Sequence, residues 1–297
     1  MVPTKERNVT GIFLQFKEHG ILMDCGEGTQ RQMNIAGINR NKVDYILISH
    51  WHGDHVSGLI GLIQTMGNQT GQEPGVERKT IHLFGPKETE RRVEHMMQTC
   101  IFENKLNIVV HEIHPKRGEL LRIVDKEEFA IDVAGLEHGV PCIAYRFVEK
   151  DQRRIDMKRA QELGLREGPL IGRLQEGEHV VLNDKTITPD MVSTMKQGKK
   201  IAFVLDTGMC EGAHLVAENA DVLVCEASYA SDIEHKAEHN KHLTAKQAAL
   251  IANNANAKKL LLTHLSQRYT TGEEVLQDAR DVFQNVFIAY DFMKLKL

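Results

Sequence analysis

The sequence is short of cysteine and contains no long apolar run. Its five cysteines are an odd number and none lies close to another, which argues against a disulfide framework and against clustered thiolate ligands. No segment approaches the roughly 18 apolar residues that a membrane span requires. The chain also turns polar within its first few residues, so we expect no signal peptide. These absences predict a cytoplasmic protein without membrane contact.

The chain also lacks a strong excess of either charge. Lys and Arg number 37 against 41 Asp and Glu, for a net charge of −4, so no global cationic field draws nucleic acid. Any nucleic-acid binding would therefore require a local basic patch. With 297 residues, 41% hydrophobic and 26% charged, the composition is typical of a soluble globular protein with a full core.

Four side chains that can bind metal follow one predicted strand. The apolar run from Tyr45 to Ser49 is typical of a buried strand, and the segment after it supplies His50, His52, Asp54 and His55. Alternate positions of an extended chain point to one side, so the first two imidazoles lie together. Gly53 then lets the chain bend toward a second centre. Imidazole and carboxylate without clustered thiolate are typical of hydrolytic zinc or manganese, so this metal loop, residues 50–55, predicts two adjacent ions.

Asp24 ends the second strand of a hairpin predicted near the start of the chain, from Gly11 to Phe16 and from Ile21 to Met23. A carboxylate at such a position can cap a helix. Because metal-bound imidazoles usually need an outer hydrogen-bond partner, we favour a role in bracing the metal loop.

Ionisable residues follow three later predicted strands. Asp206, Glu226 and His264 each come at the carboxyl end of one, which is where α/β enzymes place their chemistry. His242 opens a predicted helix and is a further candidate. His138 is a lone histidine before another predicted strand, and it gains weight because a two-metal site needs more ligands than the metal loop provides.

The segment from residue 150 to residue 198 is polar, rich in glycine and shows little strand pattern, so we interpret it as an insertion. Between residues 150 and 173 it contains seven basic and four acidic side chains. A solvated helix face is the alternative interpretation of such a charge run.

Several segments together resemble one known family. They are DCGEGTQRQM (24–33), EHGVPCIAYR (137–146), LDTGMCE (205–211), CEASYA (225–230), KHLTAKQAA (241–249) and LTHLSQRY (262–269). With the metal loop, they look like ribonuclease Z, the endonuclease of the metallo-β-lactamase superfamily that matures tRNA 3′ ends. The resemblance runs nearly end to end. It implies a single α/β domain over residues 1–297, a four-layer αββα sandwich with an inserted flexible arm at 150–198.

The resemblance also implies roles for individual residues. His50, His52 and His138 are similar to the ligands of one metal, Asp54, His55 and His264 to those of the other, and Asp206 to the bridging ligand. His242 resembles the catalytic histidine and Glu226 the carboxylate that orients it. Gly168 and Pro169 resemble the tip of the arm that grips tRNA. From the charge of the insertion, and not from the resemblance, we expect Arg153, Arg154, Lys158 and Arg159 to contribute phosphate contacts. The implied cofactors are two Zn²⁺ per chain, with Mn²⁺ as the alternative, and the implied partners are precursor tRNA and a second copy of the chain.

The predicted chemistry is phosphodiester hydrolysis. Two divalent ions about 3.5 to 4 Å apart activate water and neutralise developing charge. Asp54 is then the proton acceptor, while His242 stabilises the phosphoryl oxygens or protonates the leaving 3′ oxygen. Arg268 can reach a phosphate, although an exposed arginine without a role is an equal alternative.

Two other function classes compete. The same donor set serves ester, thioester and lactam hydrolysis, but a small-molecule hydrolase has no need of the insertion at 150–198. A non-catalytic RNA-binding module has no need of seven metal donors and a separate histidine.

Overall fold

Helices cover both outer faces of two stacked β-sheets. The computed structural model describes residues 1–69 and 78–297. Within these residues the first sheet has five strands and the second has seven. One apolar core lies between the sheets, and each sheet shares another with its own helices. The structure confirms the predicted α/β fold with its four αββα layers.

The first sheet comes from the N-terminal part of the chain. Its strands, in order across the sheet, are β1 (Ile12–Phe16), β2 (His19–Met23), β3 (Val43–Leu47), β4 (Thr80–Gly85) and β5 (Asn107–Glu112). The first two form the predicted hairpin, and β2 to β5 run parallel. Its helices are α1 (Thr29–Ala36), α2 (Gly53–Val56), α3 (Leu59–Gln69) and α4 (Thr89–Thr99).

Strand β3 shows why this sheet is buried on both faces. Tyr45 and Leu47 point into the core between the sheets, whereas Ile46 and Ile48 point toward the helices. An unbroken apolar run is what a strand covered on both sides requires. The strand therefore carries the metal loop out of the interior at a fixed position.

The second sheet is formed mainly by the C-terminal half. Its strands, in order, are β16 (Val286–Ile288), β15 (Leu260–Thr263), β14 (Val222–Glu226), β13 (Lys200–Val204), β8 (Ile143–Glu149), β7 (Phe129–Gly135) and β6 (Leu121–Asp125). Strands β13 to β16 are parallel, and the others pair antiparallel. Its helices are α8 (Glu211–Ala217), α9 (Glu234–Asn240), α10 (Ala245–Asn254) and α11 (Glu273–Arg280).

The two sheets are joined beside the metal loop. The hydroxyl of Tyr145, a fully buried residue of β8, donates to the carbonyl of Ile48 at 2.9 Å. The backbone N–H of Ile143 donates to the carbonyl of Ser49 at 3.0 Å. These bonds fix the C-terminal end of β3 against the N-terminal end of β8.

The segment from 150 to 198 contains more strand than its sequence predicts. Its elements are β9 (Gln152–Ile155), α5 (Met157–Glu162), α6 (Pro169–Gln175), β10 (Val180–Leu182), β11 (Lys185–Ile187), α7 (Pro189–Val192) and β12 (Ser193–Lys196). The expectation of little strand was wrong because these strands are short and pair only with each other, β9 with β12 and β10 with β11. A small apolar core of its own includes Leu165, Leu174 and Ile187.

This insert leaves the second sheet between β8 and β13. It follows the end of β8 that lies away from His138 and precedes the end of β13 that lies away from Asp206. Seven strand residues span about 20 Å. The insert therefore emerges at the ends of the strands opposite to those beside its own chain's metal loop. No helix among residues 1–69 and 78–297 combines the length and the apolar content needed to cross a bilayer.

Candidate metal centre

The metal loop leaves β3 in an extended conformation and turns at Gly53 into the short helix α2. The turn from Cys25 to Gly28 passes beneath it. A Cβ on Gly26 would lie 2.3 Å from the carbonyl oxygen of Asp54, so only glycine allows this close approach. Cys25 is fully buried, and burial raises the pKa of its thiol to about 12. It is a core residue, as the sequence predicts, and not a thiolate ligand.

A first group of donors consists of His50, His52, His138 and Asp206. Their candidate ligand atoms all lie within 4.8 Å of one another. His50 Nε2 is 2.9 Å from His52 Nδ1 and 3.6 Å from Asp206 Oδ2. His138 Nε2 is 3.4 Å from His52 Nδ1. Residues far apart in sequence therefore surround one small volume.

A second group consists of Asp54, His55 and His264. Asp54 Oδ2 lies 3.4 Å from His55 Nε2 and 3.3 Å from His264 Nε2. The other carboxylate oxygen of Asp206, Oδ1, is 3.5 Å from His55 Nε2 and 3.2 Å from His264 Nε2. Asp206 thus presents one oxygen to each group, which is the geometry of a bridge.

The residues present fit divalent ions at both groups. His55 Nε2 and Asp206 Oδ1 are buried, and neither has a hydrogen-bond partner with acceptable geometry among the described residues. Buried polar atoms without partners are costly, and a bound cation would satisfy both.

Three of the donor imidazoles, those of His50, His55 and His138, are held from behind by an oxygen. Asp24 is fully buried, and its Oδ2 lies 2.6 Å from His55 Nδ1. Ser49 Oγ lies 3.0 Å from His50 Nδ1, and the carbonyl of Lys241 lies 3.0 Å from His138 Nδ1. Such outer partners leave Nε2 directed into the centre. Asp24 thus contacts the metal loop as the sequence predicts, and it does so through His55 of the second group.

The pKa values of several groups in the centre are shifted far from their ordinary values. Burial, reinforced by the nearby His55, lowers the pKa of His50 to about 2. Burial opposes ionisation of Asp206, but the charges of His264 and His55 outweigh it and hold its pKa well below the usual range. Burial likewise opposes the charge on His55, yet Asp206 and Asp24 raise its pKa well above the usual value. Ionised carboxylates beside imidazoles are a donor set suited to zinc or manganese.

His242 and Glu226 form a separate pair at the edge of the centre. His242 Nδ1 lies 2.9 Å from Glu226 Oε1, and the same oxygen accepts the backbone N–H of Thr207 at 2.7 Å. Burial lowers the tendency of His242 to carry charge, but the fully buried Glu226 outweighs it, so the pKa of His242 is raised. His242 also stands close enough to Asp206 and His264 to form a third potential metal group. Because its Nδ1 faces Glu226, its Nε2 is the atom available to a substrate.

Comparisons with known proteins agree with this geometry. The chain is 38% identical to ribonuclease Z of Methanothermobacter thermautotrophicus over 100% of its own length and 93% of that protein. It is also 38% identical to ribonuclease Z of Bacillus cereus (strain G9842), over 98% of the chain and 94% of the relative. The chain belongs to the ribonuclease Z family. A protein-family model described as anti-Pycsar protein Apyc1 also matches residues 3–122.

Solved structures place this ribonuclease Z family member in the same fold. The short form of human tRNase Z aligns with a TM-score of 0.71 and 25% identity, covering 99% of this chain and 94% of that one. The metallo-β-lactamase fold protein YhfI from Bacillus subtilis aligns with a TM-score of 0.64 and 19% identity, covering 97% and 91%. The predicted family and fold are thereby confirmed, whereas the roles of individual residues stay predictions.

The remaining predicted site residues lie in two places. Arg268 is exposed, and its guanidinium lies 5.4 Å from the ring centroid of Tyr229, whose ring is 6.2 Å from that of His242. It therefore stands beside the centre. The predicted arm residues are on the insert, where Gly168 and Pro169 are exposed at the start of α6.

The basic residues of the insert differ in their surroundings. Arg153 donates to Asp190 at 2.6 Å and to Ser193 at 2.8 Å, so it holds β9 to α7 and to the start of β12. Arg154, Lys158 and Arg159 are exposed. These three are exposed to a partner, although Arg159 also lies 3.4 Å from Asp156, whereas Arg153 is held within the insert itself.

Sequence reasoning did not single out Ser49 or Lys241 as parts of the centre. Ser49 directly precedes His50, and Lys241 directly precedes His242, so adjacency to a candidate residue was the available signal. What the sequence could not supply is the distance between Lys241 and His138, which the fold brings to 3.0 Å.

Proposed function

We propose that this protein is a metal-dependent hydrolase that cleaves precursor tRNA endonucleolytically, removing the 3′ trailer and leaving a 3′-hydroxyl on the tRNA. The observation that carries the proposal is the pair of donor groups bridged by Asp206, in a chain that is 38% identical to ribonuclease Z over its full length. The names of these relatives and of the human tRNase Z structure support tRNA 3′ processing.

We propose two Zn²⁺ per chain, with Mn²⁺ as the alternative, because the donors are imidazoles and carboxylates. His50, His52 and His138 would hold one ion, Asp54, His55 and His264 the other, and Asp206 both. Ions held there would supply an activated water and neutralise charge on the phosphodiester.

The side chains then divide the proton transfers. Asp54 is half-buried, and its Oδ2 lies 3.3 Å from His264 Nε2 inside the centre, so it is placed to accept the proton of the attacking water. His242 donates a proton to the leaving 3′ oxygen or a hydrogen bond to the phosphoryl oxygens, and Glu226 fixes its tautomer by accepting from Nδ1. Arg268 would bind a neighbouring phosphate.

Binding of the large substrate falls to the insert. Residues 150–198 would act as an arm, with Gly168 and Pro169 at its tip and Arg154, Lys158 and Arg159 on its exposed surface. We propose that the chain acts as a homodimer in the cytoplasm. A hydrolase of small esters, thioesters or lactams would not need this arm.

The direct test is incubation of the zinc-loaded protein with a 3′-extended tRNA precursor, followed by mapping of both new ends. We expect one cut, with a 3′-hydroxyl on the tRNA and a 5′-phosphate on the trailer. Precursor that stays intact while a small ester or lactam is hydrolysed would overturn the proposal in favour of the small-molecule hydrolase.

A double-mutant cycle tests the pairing of His242 with Glu226. We expect His242→Ala to lower kcat about 10²- to 10⁴-fold, the usual contribution of a general acid or base. Glu226→Gln keeps the shape of the buried side chain but removes its charge, and should lower kcat on its own. The double variant should resemble His242→Ala, because residues that act as one unit have non-additive effects. Glu211→Gln, an exposed glutamate at the start of α8, is the matched control. Losses that add fully would contradict the pairing.

A further inference from the structure

Ser228 lies at the junction of the metal donors and the acid–base pair. It is a buried residue two positions beyond Glu226, the last residue of β14. Its Oγ is 2.7 Å from Glu226 Oε2, 3.0 Å from His264 Nδ1 and 3.1 Å from the carbonyl oxygen of His264. His242 Nδ1 lies 3.4 Å away. One hydroxyl therefore contacts a metal donor, the acid–base histidine and the carboxylate that orients it.

The direction of these hydrogen bonds follows from the chemistry of the partners. A hydroxyl has one proton to donate and two lone pairs that accept, whereas an ionised carboxylate only accepts. The short contact with Glu226 identifies that carboxylate as the acceptor of the Ser228 proton. Ser228 must then accept from His264 Nδ1, which carries the ring proton. His264 Nε2 is left as a lone pair directed at Asp54 and Asp206, 3.3 and 3.2 Å away.

The same arrangement occurs at the first group of donors. Ser49 Oγ donates to Asp24 Oδ2 at 2.7 Å and lies 3.0 Å from His50 Nδ1. Each carboxylate also holds a second imidazole directly, since Asp24 contacts His55 at 2.6 Å and Glu226 contacts His242 at 2.9 Å. On each side of the centre, hydrogen bonds thus connect a carboxylate, a serine and a metal-donor histidine. Such repetition is unexpected if the hydroxyl of Ser228 serves packing alone.

We propose that Ser228 is a positioning residue, which fixes the Nδ1-protonated tautomer of His264 for metal binding and ties this ligand to the Glu226–His242 pair. Ser49 is placed to fix the tautomer of His50 in the same way. The carboxylate that Ser49 contacts, Asp24, holds the metal donor His55 and not the acid–base histidine His242. Loss of Ser228 should therefore weaken both zinc binding and turnover. The inference deepens the proposed function and rests on it for the roles of zinc and of His242.

The test compares Ser228→Ala with Ser228→Thr, which restores the hydroxyl, and with Ser231→Ala. Ser231 is three residues further along and donates to Asp278, so its alanine variant loses a comparable bond far from the donors. Zn²⁺ affinity is measured by competition with a chelator. Outer partners of metal ligands typically contribute 10- to 100-fold in affinity. We expect a loss of that size at one of the two sites for Ser228→Ala, and near-normal affinity for the other two variants.

Two further measurements separate positioning from packing. Long-range ¹⁵N–¹H NMR of the histidines in the zinc-loaded protein should show a proton on His264 Nδ1, and this signal should shift or exchange away in Ser228→Ala. Kinetics on precursor tRNA should show a lower kcat with little change in KM. Ser49→Ala should weaken zinc binding as well but leave the Nδ1 signal of His242 in place.

Each negative result has a definite meaning. If wild-type protein binds two Zn²⁺ but does not cut precursor tRNA, the proposed function fails while the zinc and NMR results still decide the role of Ser228. If wild-type protein cuts the precursor, the inference is overturned by any of three results. These are unchanged zinc affinity in Ser228→Ala, a Ser228→Thr variant as weak as Ser228→Ala, and a proton on His264 Nε2.

Discussion

Asp54→Ala is expected to abolish hydrolysis of precursor tRNA and of a small phosphodiester alike. Asp54 is both a donor of the second group and the proposed proton acceptor, so its loss should lower kcat by at least the roughly 10²- to 10⁴-fold typical of a general base. Elemental analysis should find about two ions per chain in the wild-type protein, since seven donors exceed what one tetrahedral zinc takes. The variant should retain fewer ions while its circular dichroism shows an intact fold.

Asp44→Ala is the matched control for that prediction. Asp44 precedes the metal loop on the same strand, β3, but it is half-exposed and pairs with Lys79 at 2.7 Å. Its alanine variant should keep both ions and its activity, because exposed ion pairs contribute little to stability. An active wild-type protein that holds one ion or none would contradict the two-metal centre.

Removal of the insert is expected to separate the two classes of substrate. Gln152 and Lys196 are partners in the β9–β12 ribbon, so residues 153–195 can be replaced by Asn-Gly, a favoured two-residue hairpin turn. The whole core of the insert is removed with it, and no half of that core is left exposed. Cleavage of precursor tRNA should fall severely through weaker binding, whereas hydrolysis of bis(p-nitrophenyl) phosphate should stay near normal.

A milder variant tests the charge of the insert alone. Replacing Arg154, Lys158 and Arg159 together by glutamine removes three of its exposed cations but leaves Arg153 bound to Asp190. A protein that neutralises fewer phosphates releases fewer counterions on binding, so the affinity for tRNA should fall and its dependence on salt should flatten. Equal losses on tRNA and on the small diester in the deletion variant would show that the insert is a structural part of the site.

The position of the insert makes a further arrangement testable. Because it emerges about 20 Å from its own metal donors, as the length of β8 implies, it is well placed to serve another subunit. In a homodimer, one subunit without the insert and one carrying Asp54→Ala should together recover cleavage, using the metals of the first and the insert of the second. Mixed dimers as inactive as either parent would show that each insert serves its own chain.

The sequence predicts the metal loop well because its information is local. Four donors lie within six residues after an apolar strand. The alternation of an extended chain places the first two together, and the bend at Gly53 turns the other two toward a second set. Asp206, Glu226 and His264 were predictable for a second reason. They stand at or just after the ends of adjacent parallel strands, so the order of the sheet alone brings these side chains together.

Other features depend on which surfaces meet in three dimensions. The strands of the insert have three or four residues each and pair only with each other, so no apolar period marks them. A serine becomes part of the centre only through the groups opposite its hydroxyl. At Ser228 these are Glu226 and His264, and the second lies 36 residues along the chain. No spacing rule within one strand encodes that distance.

Tyr145 connects the two sheets directly beside the candidate metal centre. Its hydroxyl bond to Ile48 and the bond from Ile143 to Ser49 lie within a few residues of His50. On one side of this seam stand the donors of the metal loop, and on the other stand His138, Asp206 and His264. Ions shared between the two sides would cross-link segments of the chain that are distant in sequence, closing long loops in the folded state alone. Separation of the sheets and release of the ions would then be a single cooperative event, so that metal retention reports on the integrity of the fold.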